Sequence, residues 1–221
     1  MSPPFVYQQD THRASRAALL SPFAITAVNF AVAYVAGGVI GKWAFLPIIL
    51  VEWALFAFVI YYFGGGSAAV QRWLAPTQGG TTWKILALAP ALLPLPLFLM
   101  HYGALAPWTV WLPWAVLALV NPWLEEFYYR GFLLDALNQY PRFAAVLFSA
   151  LVFSGNHAVF GVNSTVNSGW TILVVTFIMG LAWAIVYERT RSLRWTVFAH
   201  FLVDMFNLSS AAFLDLFDPA G

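Results

Sequence analysis

Seven ionisable residues lie in segments of the chain that are otherwise strongly apolar. They are Glu52, Glu125, Glu126, Arg130, His157, His200 and Asp204. Ionisable side chains are costly in such surroundings, so they indicate a functional site. Peptide hydrolysis needs a base that takes a proton from water and a donor for the developing oxyanion, and carboxylates and histidines supply both. A carboxyl group in an apolar site is also a stronger base than one in water, and then a usable acid.

Helical spacing assigns partners to several of these residues. Glu126 and Arg130 are four residues apart, which is the spacing of a stabilising ion pair on a helix. Glu125 is rotated by about 100° from Glu126, so the two carboxylates need not serve the same partner. His200 and Asp204 are also four residues apart and share one helix face.

Three short motifs contain six of the seven residues. They are Glu-Glu-Phe-Tyr-Tyr-Arg at 125–130, Phe-Ser-Gly-Asn-His at 153–157 and His-Phe-Leu-Val-Asp at 200–204. In order and spacing they resemble the EExxxR, FxxxH and HxxxN/D motifs of the CPBP family, the CAAX-protease and bacteriocin-processing intramembrane glutamic endopeptidases. The resemblance covers about residues 120–210, and three motifs in order are far more specific than one.

The resemblance implies intramembrane peptide hydrolysis without a metal or another cofactor. By position, Glu125 matches the family's catalytic glutamate, which works with His157 to activate a water molecule. His200 and Asp204 match the pair that stabilises the oxyanion. The chain also contains no Cys and no GxSxG motif, so the usual thiol and serine nucleophiles are not indicated.

The supporting roles are open on the sequence alone. Arg130 matches the motif arginine, which we interpret as holding Glu126, and such a pair can also be purely structural. Asp204 stands where an Asn would donate a hydrogen bond to the oxyanion, which an ionised carboxylate cannot do. We therefore favour a role for Asp204 in orienting His200. Glu52 either pairs with a site residue or extends toward the membrane surface.

Composition indicates that these residues lie in a membrane. Of the 221 residues, 62% are hydrophobic and 9% are charged, whereas soluble domains have roughly 45–50% and 25%. We predict an all-α, polytopic helix bundle in the cell membrane, forming a single domain over residues 1–221. The net charge of +1 argues against a nucleic-acid partner. Its partners are then the lipid bilayer and a peptide or protein substrate, such as a membrane-anchored or C-terminally tagged protein.

About seven transmembrane helices are predicted, because each needs about 20 apolar residues. The spans are 21–40, 43–63, 83–101, 108–137, 142–160, 169–187 and 194–214. A cytoplasmic N-terminus puts most basic residues at cytoplasmic helix ends, as the positive-inside rule requires. These residues are Arg13, Arg16, Arg72, Lys84, Arg142, Arg189, Arg191 and Arg194. Lys42, Asp215 and Asp218 then lie outside. We also expect the site to open toward the cytoplasm, because its residues are placed nearer the cytoplasmic helix ends.

Three functions are consistent with this pattern. The first, which the sequence favours, is a metal-independent intramembrane peptidase. The second is a zinc-dependent form of the same protease, because Glu125, His157, His200 and Asp204 are all possible zinc ligands; no HExxH motif supports it. The third is a non-catalytic membrane protein, such as an immunity factor, a scaffold or a proton-coupled carrier, although a carrier would usually contain internal repeats.

Overall fold

The computed structural model describes residues 11–217, and Asp218 lies outside them. This part of the chain is helical and contains no β-strand, which confirms the predicted all-α class. In chain order the helices are α1 Thr11–Ile40, α2 Phe45–Phe63, α3 Gly66–Trp73, α4 Thr81–Leu88, α5 Leu95–His101, α6 Trp108–Glu126, α7 Leu133–Ala136, α8 Arg142–His157, α9 Trp170–Thr190, α10 Arg194–Phe206 and α11 Ser209–Phe213.

Four helical stretches of the described chain are long and apolar enough to cross a membrane. They are Thr11–Phe63, Thr81–Leu105, Arg142–Val162 and Trp170–Thr190. The first contains α1 and α2, which pack against each other on either side of the 3₁₀ turn Gly41–Ala44. Gly41 has a φ of 58° in this turn, a backbone conformation that glycine adopts readily. The protein is a polytopic helical membrane protein, and the number of seven spans stays a prediction.

Two of the predicted spans are interrupted by turns. In the span 83–101, the 3₁₀ turn Ala89–Leu92 separates α4 from α5, and Pro90 in this turn has no N–H to continue an α-helix. The span 194–214 is divided between α10 and α11, where Leu208 has a left-handed φ of 56°. The 13 residues of α10 extend only about 20 Å, which is less than the bilayer core of about 30 Å.

The span 108–137 contains a π-helical segment that the sequence pattern does not predict. α6 passes directly into this segment at Phe127–Phe132, and α7 follows it. The N–H of Leu133 donates to the carbonyl of Tyr128, five residues earlier, as in a π-helix. All six residues of the segment are buried. Short π-helical segments of this kind are frequent at functional sites.

The two ends of the bundle differ in charge. One end, called the basic end below, carries Arg13, Arg16, Arg72, Lys84, Arg142, Arg189, Arg191 and Arg194. Hydrogen bonds join its loops: the N–H of Leu193 donates to the carbonyl of Trp73 at 2.7 Å, and Gln139 donates to Ser15 Oγ at 2.7 Å. At the opposite end, called the Lys42 end, Lys42 Nζ lies 2.9 Å from Asp215 Oδ2.

Candidate active site

His200 in α10 is surrounded by three carboxylates. Its Nδ1 lies 3.1 Å from Glu126 Oε1. Its Nε2 lies 3.5 Å from Glu125 Oε2 and 3.7 Å from Asp204 Oδ1. The imidazole is buried with 4% of its side chain exposed. The end of α6 and the middle of α10 therefore bring together four of the predicted site residues, with Nε2 directed between two carboxylates.

Arg130, in the π-helical segment, forms the predicted ion pair with Glu126. Its Nη1 donates to Glu126 Oε1 at 2.9 Å, and both side chains are fully buried. The guanidinium carbon lies 4.1 Å from the centre of the Phe153 ring and 5.3 Å from that of Trp183. Aromatic faces stabilise a cation electrostatically at such distances. The Nε and Nη2 of Arg130 are buried and have no hydrogen-bond partner among residues 11–217.

Trp183 in α9 forms one wall of the site and was not singled out by the sequence. Its ring stacks on the His200 imidazole, with centroids 4.7 Å apart and an angle of 26° between the planes. Its indole Nε1 donates to the carbonyl of Ala87 at 3.0 Å, which fixes the ring. Nothing in the spacing of Trp183 distinguishes it from the other ten Trp residues of the chain.

His157 is the last residue of α8, at the helix end opposite to Arg142. The expectation that all four catalytic candidates lie nearer the basic ends of their helices is therefore wrong for His157. It is also wrong for Asp204, which lies close to Phe206 at the end of α10 and far from Arg194. Its Nδ1 lies 2.9 Å from the carbonyl oxygen of Phe153. Because a carbonyl only accepts, we assign the Nδ1–H tautomer, which leaves a lone pair on Nε2.

Glu125, His157, His200 and Asp204 all line one cavity of about 80 Å³. A cavity of this size that is partly lined by polar groups has room for water molecules. Its polar lining also includes Asn121, Thr176 and Asn207. The sequence motifs thus predict the four ionisable lining residues, and the other polar groups of the lining come from positions outside the motifs.

Asn121, one turn before Glu125 in α6, fixes the position of Asp204. The indole Nε1 of Trp53 donates to Asn121 Oδ1 at 2.8 Å, and Asn121 Nδ2 donates to Asp204 Oδ2 at 3.3 Å. An indole N–H is only a donor, so it determines which way the Asn121 amide points. The contact of 3.7 Å between His200 and Asp204 is too long for a hydrogen bond. Asp204 is therefore oriented by Asn121 in α6.

Glu52 in α2 is buried rather than extended toward the membrane surface. Its carboxylate accepts a hydrogen bond from Asn156 Nδ2. Asn156 Oδ1 accepts in turn from Thr26 at 3.1 Å and from Asn29 at 3.4 Å. Asn156 directly precedes His157, so this network ties α1 and α2 to the end of α8 that carries the histidine. Glu52 therefore does not extend toward the membrane surface, and its partner is Asn156, the neighbour of a predicted site residue.

Comparison with known families supports the same region. The family model "Type II CAAX prenyl endopeptidase Rce1-like" matches residues 107–206, which are 100 of the 221 residues. No curated protein and no solved structure gives a significant match. The matched region contains all six predicted site residues and both helices that surround His200. The match supports membership of this region in the CPBP family of CAAX-protease-type intramembrane proteases, which are hydrolases that act on peptide bonds.

Proposed function

We propose that the chain is a glutamic intramembrane peptidase in which Glu125 and His157 activate water, and His200 with Asp204 stabilises the oxyanion. The observation that carries the proposal is the convergence of these four side chains, from α6, α8 and α10, on one buried cavity. Ser154 does not offer an alternative nucleophile, because its hydroxyl donates to the carbonyl of Leu173 at 2.7 Å.

In the proposed reaction, the Glu125 carboxylate takes a proton from water as the water oxygen attacks the carbonyl carbon of the substrate. The lone pair on His157 Nε2 accepts a hydrogen bond from the same water and orients it. The carbonyl electrons move onto oxygen, and a protonated His200 Nε2 donates to this oxyanion. The intermediate then collapses, the carbon–nitrogen bond breaks, and Glu125 returns its proton to the leaving amine.

Two further residues act as positioning residues in this proposal. Glu126 accepts from His200 Nδ1 and so directs Nε2 of the imidazole into the cavity. Arg130 neutralises Glu126, which leaves Glu126 as a fixed acceptor in a site where an unpaired charge would be costly.

The proposed substrate is a membrane-associated peptide or protein of the cell membrane. The cavity is too narrow for a folded domain, so the scissile bond has to lie in an extended segment. The family description names prenyl endopeptidases, and a lipid-anchored or C-terminally tagged protein would bring such a segment to the depth of the site.

The test begins with the termini of membrane proteins. Membranes from cells that express the wild type or Glu125→Gln are compared by mass spectrometry, and a terminus produced only by the wild type identifies a cleavage site. A peptide that spans this site is then assayed with purified protein. We expect Glu125→Gln to reduce the rate by about 10²–10⁴-fold, whereas Glu188→Gln, in an ion pair with Arg142 at the basic end, serves as the matched control.

Two results would contradict the proposal. Wild-type rates in Glu125→Gln would exclude Glu125 as the base. Activity that a chelator abolishes and zinc restores would support the zinc-dependent form, although the described residues contain no group of three His, Asp or Glu side chains arranged to hold a metal ion.

A further inference from the structure

The cavity beside His200 extends toward the Lys42 end of the bundle. Beyond the catalytic side chains it is lined by Ile172, Thr176, Asn207, Ser209 and Phe213. α9 begins at Trp170, so its lining residues belong to the helix end that lies away from Arg189. α11 is joined to the beginning of α6 by a hydrogen bond of 2.7 Å from Ser210 Oγ to the carbonyl of Val110. The lining therefore follows the half of the bundle that ends at Lys42.

Two polar atoms along this path are buried without a partner. Asn207 Oδ1 and Ser209 Oγ make no hydrogen bond to any residue between 11 and 217. Buried polar groups in proteins are almost always paired with protein or water. Water, or the backbone of an extended peptide, would satisfy both atoms. The path is thus suited to the two reactants of hydrolysis.

The opposite side of the site is closed. A layer of buried side chains separates His200 from the basic end: Trp73, Trp183, Tyr187 and Leu193 are each at most 2% exposed. Asp135 joins this layer, because it accepts from Trp73 Nε1 at 2.8 Å and from the Tyr187 hydroxyl at 2.8 Å. Opening a route through it would break these hydrogen bonds and expose the aromatic rings.

The charges of the two ends orient the bundle in the membrane. Eight Lys and Arg residues lie at the basic end, whereas the single cation of the Lys42 end is paired with Asp215. Basic residues in short loops favour the cytoplasmic side. The basic end is accordingly cytoplasmic, as the sequence predicts. The direction of the cavity, however, is opposite to the expected cytoplasmic opening.

We infer that the peptide bond to be cleaved reaches the site from the non-cytoplasmic side of the membrane, through the path lined by Ile172, Thr176 and Asn207. The substrate class is then an extended segment of a translocated peptide, or of a membrane-anchored protein, exposed at the outer leaflet. A cytoplasmic C-terminus does not meet this requirement. The inference rests on the proposed function for the identity of the reaction, but the side of access can be measured without it.

The first experiment uses the absence of Cys from the chain. Single variants Ser168→Cys, Asn138→Cys and Ile172→Cys are treated with a small, membrane-impermeant, cationic methanethiosulfonate in intact cells and in inside-out vesicles. Ser168 and Asn138 are exposed at the Lys42 end and the basic end, so they report orientation, and half-buried Ile172 reports the cavity. We expect Ser168→Cys and Ile172→Cys to react only in intact cells and Asn138→Cys only in inside-out vesicles.

Each alternative result decides the question. Reaction of Ile172→Cys only in inside-out vesicles, or in neither preparation, would overturn the inference. Reversed labelling of Ser168→Cys and Asn138→Cys would overturn the orientation. These readouts need no activity, so they separate a failure of the inference from a failure of the proposed protease. If a cleaved substrate is known, the reagent should block cleavage by Ile172→Cys in intact cells and leave Ser168→Cys active.

Discussion

Glu126 Oε1 lies 3.1 Å from His200 Nδ1, and the same oxygen accepts the hydrogen bond of 2.9 Å from Arg130. The ion pair between Glu126 and Arg130 therefore does more than connect positions on one helix. It holds an acceptor against one nitrogen of the imidazole, so that the other nitrogen is directed toward Glu125 and the cavity. A carboxylate that binds one N–H of a protonated imidazole in this way determines where the other N–H can donate.

The role of Glu126 predicts a specific kinetic defect. Glu126→Gln keeps the shape of the side chain but removes the charge that holds Nδ1–H and Arg130 together. We expect kcat to fall by up to about 10⁴-fold, as when the orienting carboxylate of a catalytic histidine is neutralised, with KM little changed. A changed pH–rate profile would accompany the loss. Unaltered kcat and an unaltered profile would show that His200 does not depend on Glu126.

Arg130 is predicted to matter more for stability than any arginine at the surface. Arg130→Ala removes the guanidinium from a buried ion pair with Glu126, a change that costs about 3–5 kcal/mol, and Arg130→Lys retains part of the pairing. The measurement is thermal unfolding in detergent, together with the yield of folded protein. Arg142→Ala is the control, because this exposed pair with Glu188 contributes about 0–1 kcal/mol. Equal stability of Arg130→Ala and Arg130→Lys would contradict the pairing.

The sequence predicts contacts within the candidate site where chemistry and spacing act together. Charged residues in apolar segments are rare enough to be informative, and the spacing of Glu126 and Arg130 predicts a contact that the structure contains. The apolar runs also predict the beginnings of α2, α6 and α8 to within two residues. These features depend on local sequence, which a single chain records.

What the sequence does not reveal depends on contacts between distant segments. Nothing in the residue types 127–132 predicts a π-helix, and nothing distinguishes Trp183 or Asn121 from other residues of their kind. Asn121 becomes important only because Trp53, 68 positions away, determines the direction of its amide. The direction in which the cavity extends is likewise a property of packing, which helix depth alone does not record.

Gly180 in α9 lies close to the buried side chain of Arg130, so a substitution at Gly180 tests how tightly this side chain is packed. A Cβ at this position would lie 3.0 Å from Phe153 Cδ1 and 3.3 Å from both Ala150 Cα and Arg130 Nη2. Gly180→Ala should therefore cost about 1–3 kcal/mol through overpacking, and it should reduce activity because Arg130 is displaced. In Gly38→Ala the new Cβ meets nothing within 4 Å, so this helical control should gain roughly 0.5–1 kcal/mol. Both variants are compared with the wild type by thermal unfolding. Similar changes in unfolding temperature for the two variants would contradict the close packing at Gly180.

The hydrogen bonds of Asp215 at the Lys42 end predict that the stability of the protein depends on pH. Burial disfavours its ionised form, but hydrogen bonds outweigh this effect and lower its pKa below the ordinary value. The donors are Ser164 Oγ, the N–H groups of Thr165 and Val166, and Lys42. Because the folded-state pKa is depressed, this stabilisation is complete above the unfolded pKa of about 4. It is lost as the pH falls further, through the lower folded pKa.

We therefore expect Asp215→Asn to unfold at a lower temperature than the wild type at pH 7. The corresponding loss of unfolding free energy is about 1–3 kcal/mol. The difference should shrink as the pH falls below about 4. Lys42→Met, which removes one of the donors, should show a smaller effect of the same sign. A difference that is constant between pH 7 and pH 3 would contradict the contribution of the ionised carboxylate.

Asp204 provides the sharpest test, because its surroundings argue against the role favoured by the sequence. Asn121 Nδ2 donates to one carboxylate oxygen of Asp204, and the other lies 3.7 Å from His200 Nε2. In Asp204→Asn the new carbonyl can accept from Asn121, and the new amide N–H then points toward the cavity as an oxyanion donor. We expect Asp204→Asn to retain activity and Asp204→Leu to lose about 10²–10³-fold.

The measurement is a pH–rate profile for all three proteins on one peptide. If a protonated Asp204 donates in the wild type, its rate declines at alkaline pH and that of the Asn variant does not. Equal losses in the Asn and Leu variants would instead show that the negative charge of Asp204 is required to orient His200.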